Sequence, residues 1–413
     1  MVTRRNFLAA AGTFAATTFI GEQSQVVQAV PKAVSELGRV KIRDVKTASV
    51  RLTYYDAHLV KVITDSGLYG LGEAYRGAGT LNWIETIKEE VIGQDPLQVD
   101  MLFHKMMEAG SGADARSGTL TGAIAGIESA LWDLAGKILN VPVYVLLGGK
   151  FRDKLLIYHD TGSPDTVEVG PWVEEAHGSR DKYGFKAMKF DLNPFRGERW
   201  NRTLSSVDMK IWVKILEAIR AELGPDFPLA VDLHWMYNTR DALKFIQMTE
   251  HLNLWFMEDP IPPENADALA RITRATKVPI CTGENLYTRH TWRPFIEKQA
   301  CDIIQPDVQK CGGLLETKRI ADWADLYYMP MACHNLCSPV GTVASGHACA
   351  AIRSFITLES DSVELEHWAD IVKHDGPFYK DGYLELSNKP GFGIELNEKV
   401  CRKHLAEYSG FFE

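Results

Sequence analysis

From residue 151 onward the chain repeats one pattern, in which a short apolar run ends in polar residues and precedes a stretch with helical periodicity. Eight runs are predicted strands, at residues 155–162, 187–192, 228–234, 254–260, 279–285, 302–308, 328–335 and 354–360. Strands that alternate with helices are typically parallel, and eight units predict a (β/α)8 TIM-type barrel over residues 151–369. A doubly wound sheet is the alternative, but no G-x-G-x-x-G motif follows the first strand.

Residues 38–150 have a different pattern and predict a separate α+β unit. Residues 38–75 read as strands with turns, including a hairpin signal at Asp65-Ser66-Gly67. Residues 80–140 have helical periodicity, and the segment "GAIAGIESALWDLAGKILN" carries its larger apolar residues on one face. The chain therefore predicts two domains, an N-terminal α+β domain and a barrel.

The first 29 residues resemble neither domain. Two adjacent arginines precede an apolar run of small residues, and polar "EQSQ" and then "VQA" follow. This order is typical of a twin-arginine export leader, here with a cut after Ala29. The run is too short and too rich in Ala and Thr for a membrane span. We expect a periplasmic or secreted protein without stable membrane association once the leader is removed, or a cytoplasmic one if the leader is not used.

Charge and composition narrow the function classes. Apolar residues make up 46% and charged residues 24%, as in ordinary soluble enzymes. The net charge of −9 argues against a nucleic-acid partner, because phosphate binding needs clustered Lys and Arg. An acidic balance still permits an anionic small-molecule substrate, since local charge decides what a site binds.

Polar residues recur at the ends of the predicted strands at nearly constant spacing. They are Asp232, Glu258, Glu284, Asp307, His334 and Glu359, separated by 26, 26, 23, 27 and 25 residues. Acidic residues that follow strands are often helix caps. A whole series in register is instead typical of a site, because the carboxyl ends of barrel strands meet at one mouth.

The residue types indicate a divalent cation and a base. Asp232, Glu258 and Glu284 supply the oxygen ligands that Mg²⁺ prefers, whereas Zn²⁺ favours His or Cys. Asp307 and His334 follow neighbouring strands, and a carboxylate beside an imidazole orients it and raises its basicity. His234 lies two residues after Asp232, so both point to the same side of a strand. That geometry permits a shared metal or separate roles.

Together these residues resemble the enolase superfamily, specifically its mandelate racemase-like group. The segment from "GAIAGIESALWDLAGK" to "VPVYVLLGG" is similar to the link between capping domain and barrel. "VDLH", "FMEDP" and "TGEN" resemble the three metal-ligand strand ends, "QPDVQKCGG" and "ACHN" the Asp–His dyad, and "LES" the eighth-strand Glu. The resemblance implies that residues 38–150 form a capping domain completed by 370–413. It also implies Mg²⁺, α-proton abstraction, a homo-oligomer and stabilisation of the enediolate by Glu359.

Two departures from the family pattern narrow the reaction. Racemases of the group resemble K-x-K on the second strand, whereas this chain has Lys189-x-Asp191, so two-base racemisation is disfavoured. Lactonizing members carry Lys on the sixth strand, where this chain has Asp307. Lys189 is then expected to hold the substrate carboxylate or a neighbouring hydroxyl, and Asp191 to bind a substrate hydroxyl.

In the galactonate-dehydratase-like branch, the residue that matches His234 resembles the general acid. The resemblance implies dehydration of an aldonic acid, galactonate first, to a 2-keto-3-deoxy acid. Gluconate, arabinonate or mannonate dehydration and hydroxy-acid racemisation or epimerisation are the alternatives. Further candidates for a sugar-binding pocket are the loop and strand-end residues Tyr54, Tyr55, Arg76, Trp83, Trp235 and Tyr237.

Overall fold

The computed structural model describes residues 40–111, 117–192, 201–374 and 376–413, so the predicted export leader lies outside the described residues. The strands are β1 Ile42–Arg51, β2 Asp56–Thr64, β3 Tyr69–Ala74, β4 Lys154–Asp160, β5 Met188–Asp191, β6 Leu229–Asp232, β7 Met257–Glu258, β8 Ile280–Thr282, β9 Ile303–Ile304, β10 Met331–Cys333, β11 Phe355–Ser360 and β12 Tyr383–Glu385. The α-helices are α1 Thr80–Ile87, α2 Val99–Ser111, α3 Thr119–Leu139, α4 Val143–Leu146, α5 Val169–His177, α6 Ser206–Leu223, α7 Thr239–Met248, α8 Ala266–Thr273, α9 Thr288–Glu297, α10 Leu314–Asp325, α11 Pro339–Ala350 and α12 Glu398–Lys403. None of these helices combines the length and apolar composition that a membrane crossing needs.

Strands β4 to β11 follow one another around a closed parallel barrel. Each pairs with its neighbour in chain order, and β11 pairs back with β4 through Leu358 and Ile157. In register, Asp191 lies beside Asp232, and Asp232 beside Glu258, so these three carboxylates form one layer. The structure confirms the predicted (β/α)8 barrel with an N-terminal α+β domain, and all eight predicted strand positions contain a barrel strand.

Local capping fixes several of the turns from strand to helix. The side chains of Ser205, Asn238, Asn265 and Ser338 each accept a hydrogen bond from a backbone N–H in the first turn of the helix that follows. Such caps satisfy donors that the helix itself leaves without partners. They also fix where each helix starts relative to the strand end before it.

The N-terminal domain is an antiparallel sheet, β1-β2-β3, with helices packed on it. The predicted hairpin turn joins β2 to β3, with Gly67 in the left-handed region at φ +85°. Helix α3 approaches β3 closely because both carry glycine at the contact. A Cβ on Gly72 would lie 2.4 Å from the carbonyl oxygen of Gly126.

Helix α3 was predicted to bury one face, but the structure buries it on nearly every side from Leu120 to Gly136. The reason is its position between the capping sheet and the barrel. Two of its carboxylates face these neighbours: Asp133 accepts the N–H of Leu71, and Glu128 accepts the N–H of Leu314. The single apolar face in the sequence marks only part of the contact.

The C-terminal segment contacts both domains. Strand β12 pairs antiparallel with the first half of β4, on the barrel. Further along, Leu405 bridges to Val50, and the N–H of Phe412 donates to the carbonyl of Thr47 in β1. The end of the chain therefore lies along the edge of the capping sheet.

Adding one methyl group at Gly72 tests the close packing of α3. We expect Gly72→Ala to lower the free energy of unfolding by about 1–3 kcal/mol, because the backbones must move apart. Gly170 in α5 has open space around its Cβ position, so Gly170→Ala should leave stability unchanged or raise it by up to about 1 kcal/mol. Denaturant titration measures both, and equal stability of the two variants would contradict the packing argument.

Candidate active site

The carboxyl ends of the barrel strands bring the predicted polar residues together at one mouth. Five carboxylates and one imidazole of this set are buried, none more than 7% exposed: Asp232, Glu258, Glu284, Asp307, Glu359 and His334. Asp191 lies beside them at the end of β5 and is partly buried. Because these groups are shielded from water, their charges must be compensated by neighbouring side chains or by a bound ligand.

Lys189 lies at the centre of this cluster and is 1% exposed. Its Nζ donates to Glu359 Oε1 at 2.6 Å and to Glu258 Oε2 at 3.0 Å. Asp232 Oδ2 and Asp160 Oδ2 lie 3.6 and 3.8 Å from the same nitrogen. Burial alone would lower the pKa of Lys189, but the surrounding carboxylates outweigh it and hold the pKa well above its ordinary value. Lys189 is therefore a fixed cation.

The carboxylates retain capacity to bind a cation. Oε1 of Glu258 is buried without a hydrogen-bond partner. Burial, and then repulsion from Asp232, raise the pKa of Glu258 well above its ordinary value. Asp191, Asp232 and His234 each place one ligand atom within 4.8 Å of the others, a group that does not include Glu258 or Glu284. Asp232 is common to this group and to the predicted set, and hard oxygen donors of this kind suit a divalent cation.

Asp307 and His334 form a hydrogen-bonded dyad. Nδ1 of His334 lies 2.6 Å from Asp307 Oδ2, and the two residues bridge in parallel after β9 and β10. Asp307 is held in turn by its Oδ1, which accepts the N–H of Gln309 at 2.7 Å and of Lys310 at 3.1 Å. Nε2 of His334 contacts Glu284 Oε2 and lies 3.9 Å from Glu359 Oε2. The dyad thus presents one ring nitrogen to the carboxylate cluster.

His234 lies on a strained turn directly after β6. His234 and Trp235 both have positive φ, at +46° and +55°, which is uncommon for residues other than glycine. The N–H of His234 donates to Asp232 Oδ1 at 2.7 Å, and Trp235 Nε1 donates to Asp259 Oδ2 at 2.5 Å. His234 Nε2 lies 3.4 Å from Asp232 Oδ2 and 3.9 Å from Asp191 Oδ2. The turn therefore directs the ring to the mouth.

An open cavity of about 780 Å³ adjoins the cluster. It contains His234 and Asp191 at its inner end, and Tyr54 and Arg76 from the capping domain. The Arg76 guanidinium lies 4.3 Å from the centre of the Tyr55 ring. The cavity can therefore present carboxylate, imidazole and guanidinium groups to a polar ligand.

The remaining predicted pocket residues lie elsewhere. Tyr55 is 9% exposed and touches the cavity only through Arg76. Trp83 packs on the core of the capping domain, and Tyr237 is fully buried. Trp235 bonds Asp259 and supports the His234 turn instead of lining the cavity. The sequence gives no signal that separates an aromatic loop residue that packs in the core from one that lines a cavity. It therefore could not show that Tyr54 lines the cavity whereas Trp83, Trp235 and Tyr237 do not.

Sequence reasoning missed three charged residues at the mouth. Asp160 ends β4 as the other carboxylates end their strands, and that position was its available signal. Lys310 lies 3.6 Å from Glu284 Oε1 and donates to Asn285 Oδ1. Asp361 follows Glu359 by two residues and lines the cavity, where burial raises its pKa to about 7. No spacing rule marks the last two.

Comparison with known families covers nearly all of the described chain. Residues 36–148 match the mandelate racemase / muconate lactonizing enzyme N-terminal domain. Residues 172–400 match the enolase C-terminal domain-like family. The two matches correspond to the α+β domain and to most of the barrel with the C-terminal segment.

Two curated proteins and one solved structure are similar to this chain over most of its length and of their own. A D-xylonate dehydratase of Haloferax volcanii is 38% identical over 90% of this chain and 92% of its own. A D-gluconate/D-galactonate dehydratase of Picrophilus torridus is 32% identical over 86% of this chain and 89% of its own. A crystal structure of a mandelate racemase/muconate lactonizing enzyme-like protein from Rubrobacter xylanophilus superposes with a TM-score of 0.85. It is 38% identical and covers 90% of this chain and 99% of its own.

Replacing Lys189 tests whether it compensates the cluster. We expect Lys189→Met to lower the free energy of unfolding by about 3–5 kcal/mol, because it leaves buried carboxylates without a cation. Lys373 pairs with Glu395 on the surface at 3.0 Å, so Lys373→Met should change stability little. Denaturant titration in a chelator compares the two. Equal losses would show that the Lys189 contacts do not stabilise the fold.

Proposed function

Because the chain belongs to the mandelate racemase/muconate lactonizing enzyme family of the enolase superfamily, we propose that it is a hydro-lyase that dehydrates a sugar acid. The substrate is an aldonic acid of five or six carbons, and the product is a 2-keto-3-deoxy acid. One observation carries the proposal: two imidazoles reach the same mouth from opposite sides. His334 follows β10 and His234 follows β6, four strands away in an eight-stranded ring.

We assign Asp232, Glu258 and Glu284 as the residues that would hold Mg²⁺. Their buried oxygens and the unpaired Glu258 Oε1 support this assignment. A bound Mg²⁺ would supply electrostatic stabilisation of the negative charge that develops on the substrate carboxylate. Lys189, a fixed cation in the same cluster, would add to that stabilisation.

His334 removes the C2 proton in this mechanism. Asp307 accepts the hydrogen bond from Nδ1–H and stabilises the imidazolium that forms when Nε2, which contacts Glu284 Oε2 in this structure, takes the proton. The electron pair of the C2–H bond moves toward the substrate carboxylate. Glu359 contacts both Lys189 and, at longer range, His334, so it fixes the distance between cation and base.

His234 then protonates the departing 3-hydroxyl group. Hydroxide is a poor leaving group, so the C3–O bond breaks only as a proton reaches the oxygen and water leaves. The resulting enol takes up a proton at C3 and becomes the 2-keto-3-deoxy acid. Asp191, 3.9 Å from His234 Nε2, is placed to accept a hydrogen bond from a substrate hydroxyl beside it.

A racemase would need a second base that faces His334, and Lys189 is poorly suited to that role. Its ammonium donates to Glu359 at 2.6 Å and to Glu258 at 3.0 Å, so its nitrogen is engaged with these carboxylates. Elimination needs one base and one acid, and we assign these roles to His334 and His234. These contacts support dehydration over racemisation.

A substrate panel tests the function directly. Protein supplied with Mg²⁺ should form 2-keto acid from D-xylonate, D-galactonate or a related aldonic acid, because relatives with these names share 32–38% of the sequence. Each substrate should be assayed also for racemisation or epimerisation at C2. Formation of the C2 epimer without any keto acid would contradict the proposal and favour a racemase.

Two histidine variants separate the base from the acid. We expect His334→Asn to abolish both dehydration and incorporation of solvent deuterium at C2, whereas His234→Asn should retain C2 exchange and lose dehydration by about 10²–10⁴-fold. NMR of recovered substrate in D₂O measures exchange, and keto-acid formation measures turnover. If His334→Asn still exchanges deuterium, the base is another group.

A further inference from the structure

Two carboxylates of the capping domain are buried against the barrel, beyond the mouth itself. Glu73, in β3, is 2% exposed and accepts three hydrogen bonds from the start of α11. The donors are the Ser338 N–H at 2.9 Å, the Ser338 hydroxyl at 2.5 Å and the Gly341 N–H at 2.8 Å. Helix α11 begins five residues after His334.

Glu128 makes the equivalent contact with the neighbouring helix. It lies in α3, is 1% exposed, and accepts the N–H of Leu314 at 2.9 Å and of Leu315 at 3.1 Å. These donors belong to the first turn of α10, the helix that follows Asp307. Each helix behind the dyad therefore has its N-terminus held by a carboxylate from the other domain.

Glycines make room for both contacts. A Cβ on Gly313 would lie 2.2 Å from Glu128 Oε2, and a Cβ on Gly341 would lie 2.9 Å from Glu73 Oε2. A side chain at either position would displace the carboxylate. Burial raises the pKa of Glu73, and that of Glu128 to about 7, so the donated hydrogen bonds offset a real desolvation cost.

The contacts continue to the dyad itself. Gln309, whose N–H donates to Asp307, also bridges the two loops: its Nε2 donates to the Gly341 carbonyl at 3.4 Å, and its Oε1 lies 3.4 Å from Ser129 Oγ of α3. On the other side, the N–H of Asn335, next to His334, donates to Glu359 Oε2 at 3.1 Å. The loops that carry Asp307 and His334 are thus fixed at their far ends by the capping domain.

We propose that Glu73 and Glu128 are positioning residues, which hold the loops after β9 and β10 so that Asp307 and His334 keep their catalytic geometry. The capping domain then contributes to proton abstraction through its rigid β3 and α3, and not only by lining the cavity. This inference rests on the proposed role of His334 as the base. A misplacement of about 1 Å can cost about 10²-fold in rate, so loss of one contact should be measurable.

Glu73→Gln is the test variant, and Asp133→Asn is its matched control. The glutamine keeps the size but offers one acceptor oxygen and a donor that opposes the N–H and O–H groups around it. Asp133 is equally buried and also accepts two backbone N–H groups, from Leu71 and Phe392, together with Lys137 Nζ at 2.6 Å, but it touches neither dyad loop. Glu128→Gln provides an independent second variant should Glu73→Gln fail to fold.

With Mg²⁺ and a substrate that the panel identifies, we expect Glu73→Gln to reduce kcat by about 10²-fold with KM nearly unchanged. Asp133→Asn should have a lower melting temperature but an unchanged kcat. In ¹⁵N-histidine-labelled protein, the downfield proton of His334 Nδ1, identified by its loss in His334→Asn, should shift or broaden in Glu73→Gln and Glu128→Gln only.

An unchanged kcat in both glutamine variants, or an equal loss of kcat in Asp133→Asn, would overturn the positioning role. The proton resonance keeps this outcome separate from failure of the proposed function. If His334→Asn still exchanges C2 deuterium, the base assignment is wrong. If the resonance is unmoved in the glutamine variants, Glu73 and Glu128 do not set the dyad geometry, whatever the reaction.

Discussion

Buried carboxylates repel one another, and the barrel brings several of them to one end. The ammonium of Lys189 offsets this repulsion from within, by contacts with Glu258 and Glu359 and proximity to Asp232 and Asp160. Without such compensation, closing the ring of strands would place like charges in a medium that solvates them poorly. The contacts of Lys189 at the mouth and the raised pKa values of Glu258 and Asp191 both follow from this one constraint.

The barrel and the core of the site could be predicted because both depend on local repetition. Each strand–helix unit occupies similar length, so strand-end residues such as Glu258 and Glu284 reveal their common location by spacing alone. The cap-to-barrel contacts could not be predicted in this way. Glu73 bonds Ser338 across 265 residues, and Glu128 bonds Leu314 across 186, and no periodicity links partners so far apart. Asp160 also ends a barrel strand, but the sequence shows no motif that links it to the other residues of the site.

The two domains contribute different kinds of residues to the site. The barrel supplies the carboxylates, Lys189 and the two imidazoles, which lie on its strands or in the loops that follow them. The capping domain closes one side of the cavity through Tyr54 and Arg76 and reaches the dyad loops through Glu73 and Glu128. Buried hydrogen bonds between these carboxylates and the helix N-termini resist movement of one domain against the other. A displaced carboxylate would lose its hydrogen-bond partners without gaining contact with water.

Arg76 follows Glu73 by only three residues, yet the two side chains make contacts with different parts of the molecule. Glu73 lies in β3 and accepts hydrogen bonds from the start of α11 in the barrel. Arg76 lies in the loop after β3 and lines the cavity. One short segment therefore carries both a residue that lines the cavity and a residue that anchors the capping domain to the barrel. Substitutions in the loop after residue 75 would change the wall of the cavity and leave the contacts of Glu73 in place. A library for altered specificity should therefore randomise residues 76–79 and leave 70–74 intact.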